Sequence, residues 1–244
     1  MLKVLVILFS VLFYHREASA LSSIRAPHSS YKDYQARAEQ GLYQKELYET
    51  PLKISRLYKP ENIPQVTSWT SMVSLQKNFV KIRDEKFLVW SVMPAENRRT
   101  TWLYPDDGCY ARASMVTRMA YQSLLPIPKK VFAFGDLTVK TPNSSYGSVS
   151  WWYHVASIVE VAGVKYVIDP AIDYEKPLTL LDWLSKMGDP TKMRVAVCAS
   201  GTVSPKSNCA VETGGQEIWS FNVQQTFLRY EWERMKKLGR LAEL

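Results

Sequence analysis

WWYHVASIVEVAGVKYVID, from Trp151 to Asp169, is the stretch that decides the fold. Two runs rich in β-branched and aromatic residues flank Ala162-Gly163, which reads as a two-residue turn joining antiparallel strands. Such a turn sets Val161 opposite Val164 and, counting outward, Ala156 opposite Asp169. His154 lies two residues from Ala156, on the same face. His154 and Asp169 therefore become diagonal cross-strand neighbours, roughly 7–8 Å apart at Cα, within reach of an imidazole–carboxylate hydrogen bond. A one-residue slip in register would put them on opposite faces.

Upstream of the hairpin, YPDDGCYARA (Tyr104 to Ala113) places a cysteine after a glycine and at the head of a helical run. In that run Ala113, Val116, Ala120 and Leu124 recur on one face, with Arg112 and Arg118 off it. Pro126 ends it. The positive end of the helix would stabilise a Cys109 thiolate. Gly108 offers no side chain to obstruct an approaching carbonyl. The first-turn N–H groups, that of Cys109 included, are free to hold an oxyanion. Asp106 or Asp107 is the expected cap.

Other elements follow from pattern. Ser29 or Ser30 would cap a helix from Tyr31 that Pro51 ends. Thr67 or Ser68 would cap another, with Met72, Leu75, Phe79 and Ile82 at helical spacing. Lys86 to Val92 and Val131 to Val139 read as strands, and Glu96 to Thr100 as a polar loop. TLLDWLSKMG is a short helix with Thr179 as cap and Gly188 as stop. MRVAVCA is a strand, and an amphipathic helix starts near Phe221. A helix followed by antiparallel strands is an α+β arrangement.

The chain has 244 residues and a formal charge of +8. The basic residues are dispersed, without zinc-finger spacing or an RNA-binding signature, so nucleic acid is not the expected partner. Residues 1–20 read as a secretory signal peptide: Lys3, an apolar run from Val4 to Tyr14, then Ala18-Ser19-Ala20. Their removal would leave a secreted or periplasmic protein, not held by a membrane and expected to be a monomer. Residues 21–66 read as an N-terminal extension or pro-segment, and 67–244 as the catalytic domain. Cys198 and Cys209, separated by a Gly/Ser/Pro loop, are placed to form a disulfide in an oxidising compartment. That leaves Cys109 unpaired. After signal removal only His28 and His154 remain as histidines.

The order Cys109 on a helix start, His154 on a strand and Asp169 at the end of the next strand is that of papain-like and transglutaminase-like cysteine enzymes. YPDDGCYARA, SWWYHVASIV and YVIDPAID together resemble the bacterial protein-glutaminase family of protein-glutamine deamidases, over about Leu103 to Leu184. The resemblance implies Cys109 as nucleophile, His154 as base and Asp169 as its orienting partner. It implies hydrolysis of glutamine side chains in proteins or peptides through a thioester, with no metal or organic cofactor. Trp151, Trp152 and Tyr110 are candidates to flank a slot for the glutamine side chain. The same triad would serve a transglutaminase or a cysteine peptidase. A non-catalytic binding domain is the alternative of another class.

Overall fold

The computed structural model describes residues 25, 28–40, 48–89, 96–213 and 218–244. The expected signal peptide lies outside them. Six strands form one antiparallel sheet: β1 (Arg56–Leu57), β4 (Lys129–Lys140), β5 (Ser148–Val161), β6 (Val164–Ile168), β7 (Leu178–Thr179) and β8 (Arg194–Cys198), in the order β1-β8-β4-β5-β6-β7. A separate pair joins β2 (Phe87–Val89) to β3 (Glu96–Arg98). The polar loop expected at Glu96 to Thr100 is thus partly a strand, because its backbone pairs with β2.

The centre of the sheet is β4 and β5. Their alternate residues face opposite ways: Val131, Ala133, Ala156 and Ile158 join one cluster, and Phe132, Phe134, Tyr153 and Val155 join another. Both faces are covered, which is why β5 reads as a nearly unbroken apolar run. On one face lies α5 (Leu180–Met187), whose Leu180, Trp183, Leu184 and Met187 are all buried. Each of these contributes roughly 1.5–3 kcal/mol through burial. Thr179 caps it by accepting from Asp182 N–H, as expected. α4 (Cys109–Gln122) packs against β5. α3 (Met72–Asp84) adds Leu75, Phe79 and Ile82 to the cluster of Met115, Val116, Val159 and Ile168.

Three boundaries differ from expectation. Ser30 caps α1 (Tyr31–Gln40), yet Pro51 opens α2 (Pro51–Ile54) instead of ending a helix, since Thr50 caps it and proline fits the first turn. Ser71 caps α3 through the N–H of Ser74. The reason is that Thr67 and Trp69 are already engaged with Glu160 at the sheet. A third irregularity is a one-residue register shift in β4 between Phe134 and Leu137, where Gly135 and Asp136 lie opposite Trp152 alone. α6 (Ile218–Lys237) lies against α4. No described helix is long and apolar enough to cross a membrane.

Candidate active site

Cys109 is the first residue of α4. The residue before it, Gly108, occupies the N-cap with φ 78°, a left-handed conformation that favours glycine. Neither aspartate is the cap. Asp107 accepts the Gly108 N–H at 2.7 Å, and Asp106 is bound bidentately by Arg234 at 2.8 and 2.9 Å. The space beside Gly108 is also not open to a carbonyl. A Cβ there would sit 2.8 Å from the ring of Phe227 on α6. Cys109 is only 2 % exposed and shares a cluster with Tyr34, Ala38, Leu52, Trp152 and Tyr153.

The hairpin has the expected register, with Val161 facing Val164 and Ser157 facing Ile168. Ala162 and Gly163 both have positive φ, 51° and 80°, as a tight two-residue turn requires. The consequence is the His154–Asp169 contact: Nε2 lies 2.8 Å from Asp169 Oδ2. The same oxygen accepts the Trp183 indole N–H at 2.9 Å, and Oδ1 accepts the Ala171 N–H at 3.3 Å. Trp151 stacks on the imidazole at 4.8 Å, and Trp183 is tilted against it at 5.6 Å. With Nε2 committed to the carboxylate, Nδ1 is the free ring nitrogen. It has no hydrogen-bond partner of ordinary geometry among the described residues. The Cys109 thiol lies close enough to the ring to influence its charge.

The electrostatics favour a charged ring. Burial is the largest influence on His154 and opposes the imidazolium. The charge and hydrogen bond of Asp169, then those of Cys109, outweigh it and push the group up to about 9. For Asp169 burial raises the carboxyl pKa. His154, Arg112 and the Trp183 hydrogen bond overcome that and hold it below the usual carboxylate range. An ionised Asp169 makes His154 Nε2–H the donor in their contact.

The three aromatic residues expected to flank a substrate slot are engaged in packing contacts. Trp151 is fully buried, donating its indole N–H to Asp106 O at 3.1 Å while stacking on His154. Trp152 is fully buried and stacks on Tyr34 at 6.1 Å. Tyr110 is half-buried, edge-on to Phe227 at 6.0 Å. Packing between the sheet and its covering helices takes these rings. Arg112, read from periodicity as lying off the buried face, is 2 % exposed. Its Nη1 donates to the carbonyls of Tyr104 and Asp107 at 2.8 and 2.6 Å, tying the loop before Cys109 to α4. Nothing in helical spacing signals an arginine turned inward by backbone carbonyls. Trp183 was legible as an apolar helix position, but its indole partner was not. Among the described residues no group of three or more His, Cys, Asp and Glu side chains could hold a metal.

The family model described as Glutaminase matches residues 75–187, a span that holds Cys109, His154 and Asp169. Over that span, just under half of the chain, the sequence is similar to the protein-glutaminase family. That match supports a hydrolase of carboxamide C–N bonds. Among solved structures, a crystal structure of protein-glutaminase is 22% identical, covers 66% of this chain and 89% of its own, and superposes with a TM-score of 0.50. A crystal structure of pro-protein-glutaminase is 23% identical, with 73% and 63% covered and a TM-score of 0.50. This likeness is one of fold. No curated protein matches the chain.

Proposed function

We propose that this protein deamidates glutamine side chains within proteins or peptides through a Cys109 thioester, on a papain/transglutaminase-like core. The observation that supports this most is His154 held by Asp169 through Nε2, with Nδ1 left without a partner among the described residues and Cys109 close enough to influence the ring. In the reaction, the Cys109 thiolate attacks the Cδ carbonyl and forms a C–S bond. The Cys109 N–H, at the first turn of α4, faces the developing oxyanion. The tetrahedral intermediate collapses, the C–N bond breaks, and the His154 imidazolium gives its proton to the leaving nitrogen, releasing ammonia. His154 then takes a proton from water, the hydroxide attacks the thioester, and glutamate leaves as the thiolate re-forms. General-base assistance is worth about 10²–10⁴-fold and one oxyanion donor about 10²–10³-fold.

Residues 1–20 act as an export signal in this reading, and 21–66 as an extension or pro-segment. In this reading α1, whose Tyr34 and Ala38 share a buried cluster with Cys109, shields the sulfur from substrate. The test is ammonia release from a glutamine-containing peptide. Wild type should release it, Cys109→Ser should fall to background, and a chain beginning at Glu49 should work faster than the full chain. Ammonia only when a primary amine is supplied, with cross-linking, would make the enzyme a transglutaminase. Peptide cleavage without deamidation would make it a peptidase. Silence from both wild type and the shortened chain would end the deamidase reading.

A further inference from the structure

The segment from Arg98, the last residue of β3, to Gly108 leads directly into Cys109, and one face of α6 grips it at successive points. Gln224 Oε1 accepts from the N–H and hydroxyl of Thr101 at 3.1 and 3.0 Å. Seven residues on, Glu231 Oε1 accepts the Leu103 N–H at 2.9 Å while Oε2 pairs with Arg98 Nη2 at 2.7 Å. Three residues further, Arg234 holds the Asp106 carboxylate and donates to Asn143 O at 2.7 Å. Between them Phe227 fills the space beside Gly108. Positions 224, 227, 231 and 234 fall on one helix face. From the other side Arg112 holds the carbonyls of Tyr104 and Asp107.

This arrangement exceeds what anchoring a C-terminal helix needs. Gln224 and Glu231 are buried, at 0 % and 3 % exposure, and apolar residues there would anchor the helix without burying polar groups. What the polar groups add is direction: each fixes a backbone position in the run-up to the sulfur. A displacement of about 1 Å at a reacting atom can cost on the order of 10²-fold in rate. α6 also lies outside residues 75–187, the span matched by the family model.

We propose that α6 is a positioning element for the reaction, with Glu231 at its centre, Gln224 and Arg234 on either side, and the aim of Cys109 toward His154 as what it sets. These residues touch no reacting atom; they act through the loop. The inference rests on Cys109 being the nucleophile.

Arg234→Ala and Glu231→Gln test it, with ammonia-release kinetics and thermal melts on the same preparations. Arg234 is part-exposed, so its variant tests the loop without disturbing the core. Glu231→Gln keeps a carbonyl for the Leu103 N–H but loses the charge for Arg98, and Glu231→Ala loses both. The expected results are a fall in kcat of about tenfold for Arg234→Ala with KM within twofold. For Glu231→Ala the fall should be about 10²-fold, partly restored in Glu231→Gln. Lower melting temperatures with kcat held within twofold in Arg234→Ala and Glu231→Gln would reduce α6 to a structural helix and overturn the inference alone. No ammonia from either wild type or the chain beginning at Glu49 would remove the deamidase reading and this inference with it.

Discussion

At the scale of single residues, the His154–Asp169 contact makes opposite demands at the two ends of the pH scale. His154 is pushed up to about 9 from a usual value near 6.5, so the folded state holds a proton that the unfolded chain has released between those values. Its stabilisation is present in full below about pH 6.5 and is lost as pH rises through about 9, on the order of 3 kcal/mol altogether. Asp169 is held low, so its contribution is present at neutral pH and lost as acid protonates it. Activity that needs a charged imidazole to protonate the leaving nitrogen should fall with the same alkaline limb. Asp169→Asn keeps an acceptor for Nε2–H and removes the charge. We expect kcat to drop by about 10²-fold or more and the alkaline limb to move to lower pH, read from kcat and melting temperature across pH 6–10. An Asn variant with an unmoved limb would mean that Asp169 does not set the charge on His154.

Among elements, the β5–β6 hairpin does most to assemble the site, and it was fully legible. Its apolar runs, the two-residue turn and the pairing of Val161 with Val164 came from local chemistry alone, and they carried His154 to Asp169. The helix starting at Cys109 and the Thr179 cap were legible for the same reason. What was not legible is decided by distant contacts. The two salt bridges between α6 and the segment before Cys109 join residues 133 and 128 positions apart, and no window of sequence shows them. Arg112 is buried because loop carbonyls reach it, which periodicity cannot show. The turn still carries strain, since Ala162 adopts φ 51°. Asparagine tolerates that region better and precedes glycine in the favoured turn of this kind. Ala162→Asn should therefore stabilise the fold by about 0.5–1 kcal/mol, raising the melting temperature by roughly 1–4 °C with unchanged ammonia release. A lower melting temperature would mean that the turn is not under strain.

Over the whole molecule, the disulfide ties the N-terminal part of the chain to the sheet that carries the site. Cys198 ends β8 and is bonded to Cys209, leaving Cys109 the free thiol. The intervening loop holds residues 49–52: Cys209 N–H donates to Glu49 O at 2.9 Å, and Leu52 N–H donates to Pro205 O at 3.1 Å. β1 then pairs with β8, so Arg56 and Leu57 belong to the sheet although they precede the helical core in sequence. Closing a loop of this size removes unfolded-state entropy worth about 3 kcal/mol. Reduction should lower the melting temperature by roughly 6–12 °C. The proposed mechanism does not involve the bond, so ammonia release at 25 °C should stay within twofold. Thiol titration of denatured protein should find one reactive group before reduction and three after. Three thiols before reduction would remove the disulfide. An unchanged melting temperature after reduction would show that β1 and the 49–52 contacts hold the N-terminal part without it.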